Sequence, residues 1–114
     1  NLDFKFKNNI SIIESKIYLK KIKKINIKID LIKIDVNGHE SSVVKGLHNI
    51  IRRDKPALIV ETGDDIKIIE RYLKKFGFEK YLFFKKYNKF VKIKKNYPLN
   101  TYFLQKKHLM LRVT

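Results

Sequence analysis

The chain has 114 residues, enough for one domain with a buried core, and 44% of them are hydrophobic, which excludes compositional disorder. It has no cysteine, so disulfides and thiolate metal sites are excluded. Lysine and arginine total 27 against 11 acids, a formal charge of +16. Such a charge suits a polyanionic partner. Lysine far outnumbers arginine, however, and isoleucine and asparagine are enriched with it, the joint bias of an A/T-rich coding sequence. A solvated basic surface is therefore favoured over a nucleic-acid face. No apolar run reaches the ~20 residues of a membrane helix and no signal peptide is visible, so the expectation is a soluble, cytoplasmic protein without a membrane partner.

In chain order, Phe4 and Phe6 alternate with lysines, and residues 1–13 read as a strand or loop. Ser15 is placed to cap a helix carrying Ile17, Tyr18, Ile22 and Ile25. A loop to Ile29 precedes a strand over residues 30–36, whose near-continuous apolar run predicts burial on both faces. A helix follows with Ser41 and Ser42 in its first turn and one apolar stripe of Val43, Val44, Leu47, Ile50 and Ile51. Arg52 and Arg53 end it, where positive charge suits a helix carboxyl terminus. Pro56 opens a second strand that runs to Glu61 and Thr62. Asp64 and Asp65 cap a helix bearing Ile66, Ile69, Leu73 and Phe76, which Gly77 closes. Residues 78–84 and 100–104 read as strands, with a short strand at 90–93 inside the basic, aromatic stretch between them.

Two strands that each end on a carboxylate, joined by an amphipathic helix, form a βαβ unit. Ligands of open α/β sheets gather at the carboxyl ends of the strands, which is where Asp35 and Glu61 would lie. The decisive run is Ile32-Lys33-Ile34-Asp35-Val36-Asn37-Gly38-His39-Glu40, followed by Lys45-Gly46 and then by the strand from Pro56 to Glu61. This order resembles the FkbM-type methyltransferase family, whose hallmark reads I-K-I-D-V-E-G-x-E before a K-G pair and a P-x-x-x-x-E strand. The match is close from Asp30 to Thr62 and looser elsewhere, and Asn37 stands where the family has a glutamate.

The resemblance implies an α/β, Rossmann-like methyltransferase fold. The chain would be its carboxyl-terminal half, strands four to seven with the last two antiparallel, in one partial domain over residues 1–114. It implies an S-adenosylmethionine-dependent enzyme that methylates a hydroxyl of a small molecule or glycan. Such enzymes hold the donor in a glycine-rich turn. The glycines here are Gly38, Gly46, Gly63 and Gly77, and none forms that loop, so the cofactor-binding half is expected to be absent and the fragment inactive alone. The competing reading is a non-catalytic basic α/β module that binds nucleic acid or an acidic partner.

Asp35, Glu40 and Glu61 are the candidate catalytic residues, with Asn37 and Gly38 on the cofactor side. Asp35 suits orientation or deprotonation of a hydroxyl, and its plain alternative is a helix cap. Asn37 tolerates a left-handed turn but cannot act as a base. Gly38 permits the tight turn, and His39 could shuttle a proton. Glu40 at a helix start is favoured by the macrodipole alone, and Glu61 could equally pair with a lysine. The three carboxylates suggest a hard-cation site only weakly, and no metal is assigned. Tyr81, Phe83, Phe84, Tyr87 and Phe90 are read as edge-strand packing ahead of base stacking. Without a strand-one neighbour, residues 30–36 would leave a free sheet edge and promote self-association.

Overall fold

The computed structural model describes residues 12–14 and 28–110. The expected helix led by Ser15 and the alternation at Phe4 and Phe6 lie outside the described residues. The elements are β1 (Ile12–Glu14), β2 (Leu31–Ile34), α1 (Glu40–Gly46), α2 (His48–Asp54), β3 (Ala57–Glu61), α3 (Ile66–Lys74), β4 (Glu79–Phe84), a 3-10 turn (Lys85–Tyr87), β5 (Lys89–Lys92), β6 (Asn100–Leu104) and α4 (Lys106–Met110).

One mixed sheet of six strands runs in the order β1-β2-β3-β6-β4-β5. β1, β2 and β3 are parallel, and β6 lies antiparallel between β3 and β4. The sheet is thus the α/β arrangement that the βαβ reading predicts, and the two long late strands do pair antiparallel. The two do not form a hairpin at the sheet's edge: β6 is interior, and it is β5 that closes the edge in a hairpin with β4. The expected free edge along residues 30–36 is also corrected. β1 pairs with Leu31, Ile32 and Lys33, so β2 is not an edge strand.

β2 alternates as a strand should. Ile32 and Ile34 enter the main core with Leu58 and Val60 of β3, and the helices cover them. On the opposite face Leu31 joins a smaller cluster with Ala57 and Leu104, while Lys33 is exposed among the described residues. Burial on both faces therefore holds for Leu31 but not for Lys33.

The helical stripe is buried as its spacing predicts, with Val43, Val44, Leu47, Ile50 and Ile51 all in the core. It is carried by two short helices rather than one. At Leu47 the backbone leaves helical geometry (φ −91°, ψ 14°), and its amide is shared between the Val43 and Val44 carbonyls at 3.0 and 3.1 Å. α3 buries Ile66, Ile69 and Leu73, and Gly77 at φ +87° turns the chain into β4 as a C-terminal glycine should.

Candidate active site

The parallel register of β2 and β3 sets Ile34 opposite Val60. β2 ends there and β3 one residue later, so Asp35, just past its strand, and Glu61, the last residue of its own, emerge at the carboxyl end of the sheet. Glu40 comes back to the same place from the first turn of α1. One carboxylate oxygen from each of Asp35, Glu40 and Glu61 lies within 4.8 Å of the others. The sequence named these three acids, and the fold brings them together.

Their environments separate their roles. Asp35 is exposed, Glu61 is half-buried, and Glu40 is 1% exposed. The Glu40 carboxylate accepts the Val36 amide on Oε2 at 2.9 Å and the Gly38 amide on Oε1 at 3.0 Å. It is the clasp of the strand-to-helix turn, with both oxygens committed to backbone, and a catalytic role for it gains no support from this geometry. Three oxygens at such spacing could hold a divalent cation, but Glu40's engagement leaves Asp35 and Glu61 as the open pair.

The turn itself explains the two residues between them. Asn37 (φ 48°) and Gly38 (φ 91°) both adopt left-handed backbone, the region where asparagine and glycine are the least strained. Both are exposed, and a Cβ built on Gly38 meets no atom within 4 Å, so open space lies beside this backbone. His39 is the exposed residue before α1 and makes no side-chain cap.

Neither does Asp35 cap α1. That work is done from another loop: Asp65 Oδ2 accepts the Ser41 amide at 2.8 Å. Asp65 stands at the N-cap of its own helix α3 without a side-chain bond there, which corrects the expected local cap. Its Oδ1 is buried and has no partner among the described residues. Gly63 separates the two acids; a Cβ on it would lie 3.5 Å from Asp65 Oδ1 and 3.6 Å from Glu40 Oε1. The sequence signal for Asp65 was a helix-start acid, and nothing in it pointed across to α1.

Leu99 was missed altogether. The Thr62 amide donates to the Leu99 carbonyl at 2.8 Å, which brings Leu99, 75% exposed, to the same end of the sheet. Of the aromatic residues read as packing, Tyr81, Phe83 and Phe90 do pack: Tyr81 lies against the Leu31, Ala57 and Leu104 cluster, and Phe83 and Phe90 form one group with Tyr102, with ring centroids 5.1 to 6.3 Å apart. Phe84 and Tyr87 contact each other and stay exposed.

The electrostatics single out Glu61. The Asp35 carboxylate beside it raises its proton affinity above that of an ordinary carboxyl, and partial desolvation, a hydrogen bond with Asp35 and the charge of Glu40 add to this against the pull of Lys33. Two adjacent acids, in a chain of +16, make a local acidic site on a basic molecule.

The family model described as the methyltransferase FkbM domain matches residues 8–80, more than half of the chain and all of the turn just described. The chain belongs to the FkbM methyltransferase family. No curated protein and no solved structure matched it. Within the FkbM domain, the matched span carries both strand ends, the clasp and α3. No helix among the described residues is long and apolar enough to cross a membrane.

Proposed function

We propose that this FkbM domain serves S-adenosylmethionine-dependent methylation of a hydroxyl oxygen on a small molecule or glycan, with Asp35 and Glu61 on the acceptor side. The observation that carries the reading is the register of β2 and β3, which puts two open carboxylates side by side at the sheet's carboxyl end. In the same reading β2, β3, β4 and β6 correspond to strands four to seven of a Rossmann-like methyltransferase.

A hydroxyl must lose its proton as it gains a methyl group, and a carboxylate within reach is a suitable acceptor. Asp35 is exposed and free of capping duty, so it can orient the hydroxyl and draw on its proton. Glu61, which holds a proton more readily than an ordinary carboxyl, backs it as the second member of the pair. The exposed leucine at the same end offers apolar surface to the acceptor.

The donor, when bound, supplies an electrophilic methyl group on a positively charged sulfur. The residues present suit part of it: the acidic pair complements the charge, and the open backbone at Asn37 and Gly38 allows close approach. The glycine loop that would hold the rest of the donor is not among the four glycines of this sequence, so its source is proposed to lie in chain outside these 114 residues.

The test is Asp35→Asn in the full-length methyltransferase. Turnover should fall by about 100-fold, the scale of lost general-base help, while acceptor KM changes little. Near-normal turnover would remove Asp35 from the mechanism and leave Glu61 as the proton acceptor to test.

A further inference from the structure

A second concavity shares no residue with the acidic site. Lys67, Glu70, Arg71 and Lys74 of α3 form one wall of a pocket of about 460 Å³, Lys80 at the start of β4 adds to it, and Lys94, Lys95 and Tyr97 of the β5–β6 crossover complete it. Glu70 is the one acid in that lining. It is already engaged, accepting Lys80 Nζ at 2.8 Å and the Tyr97 hydroxyl. The pairing holds Glu70 below the usual carboxyl range, through the hydrogen bonds of Lys80 and Tyr97 that outweigh its burial, and raises Lys80.

The ion pair and phenol make a part-buried floor with its charge largely spent, and Lys67, Arg71, Lys74, Lys94 and Lys95 remain around it. Lys67 and Arg71 lie one helical turn apart, a like-charge spacing that weakens a helix rather than supporting it. A general lysine bias would spread charge over every face. Cations converging in a concavity instead concentrate the field there and attract an anion.

We propose that this pocket binds a small diphosphate-bearing ligand. Arg71 can fork onto two phosphate oxygens, and the lysines supply the remaining point charges. The volume suits a small molecule, within the roughly 300–1,000 Å³ of ligand clefts, whereas a single-stranded nucleic acid needs an extended basic track with aromatic platforms. Here Tyr97's hydroxyl is tied to Glu70 and Lys80 stands over its ring, 4.8 Å from the centroid.

The experiment is calorimetric titration of the 114-residue chain with inorganic pyrophosphate at about 0.1 M salt, after circular dichroism confirms that each variant is folded. Saturable one-to-one binding is expected. Lys94→Ala with Lys95→Ala should weaken it by about tenfold or more, as should Lys67→Ala with Arg71→Ala. Lys85→Ala with Lys86→Ala, which removes the same charge from the exposed 3-10 turn, should leave affinity unchanged. Equal weakening by all three pairs would show diffuse attraction to a basic surface and overturn the proposal, as would absence of binding. Tighter binding of a single-stranded oligonucleotide of about six residues, lost in the pocket variants, would make the face a nucleic-acid interface instead and also overturn it.

Discussion

Two glutamates at the head of the sheet show how burial divides like residues into different jobs. Glu40 accepts two backbone amides while almost fully buried, so its charge is matched by fixed donors. Glutamine there has one acceptor oxygen in place of two and turns an N–H toward an amide donor. Glu40→Gln should therefore lower unfolding free energy by about 2 kcal/mol, the scale of one buried donor left unpaired, measurable by urea titration. Glu61 is the titrating partner. Because the neighbouring Asp35 charge is the main cause of its raised proton affinity, Asp35→Asn should bring Glu61's titration back toward lower pH. Carbon-detected NMR titration of the Glu61 carboxyl reads this directly, and an unmoved midpoint would refute the coupling. At Asn37, the departure from the family glutamate meets a left-handed backbone that asparagine adopts with less strain than a longer side chain does.

At the scale of elements, α1 is seven residues long, far below the length at which a helix persists alone in water. It stands because it is held at its start by Glu40 and Asp65 and along its side by the core. Asp65 links α1 to α3, which pack against each other. Asp65→Ala should cost about 1 kcal/mol of stability, as for a lost helix cap, and Asp65→Asn, which keeps an acceptor oxygen, should restore most of it. Equal denaturation midpoints for the alanine variant and the parent would mean that the Ser41 amide is satisfied by water. At the other end of the sheet, Asp54 accepts the Ile29 amide at 2.9 Å and pairs with Arg53, so the arginine read as a dipole partner also braces a buried acid.

At the scale of the whole molecule, His108 is a group whose protonation opposes folding. His108 is 2% exposed, and its Nδ1 accepts the Gln105 amide at 2.8 Å. Burial, with the nearby charge of Lys107, lowers its pKa to about 4 from 6.5. The folded state therefore keeps the ring neutral while the unfolded chain takes up a proton below pH 6.5. Stability is full above that value and lost as pH falls toward 4, by up to about 3 kcal/mol. Urea midpoints measured across this window should fall with pH, and His108→Gln should flatten that part of the profile. A parent profile that is flat between these limits would disprove the assignment.

The sequence by itself determined the order of strands from β2 to β6 with helix between the first three, the apolar stripe from Val43 to Ile51, the left-handed turn at Asn37 and Gly38, and the three acids of the candidate site, because each is written in local spacing or in a contiguous motif, while the short α4 went unread. The helix break at Leu47 escaped it, since a stripe continues across a kink when both halves face one core. Tertiary structure alone decided that β6 enters between β3 and β4 and that β1 covers the edge of β2. Periodicity records which face of a strand is buried, not which strand donates the hydrogen bonds beside it. The same reason separates the acids: position in the motif brought Asp35, Glu40 and Glu61 forward together, and only the fold turned Glu40 onto the backbone and left the other two open.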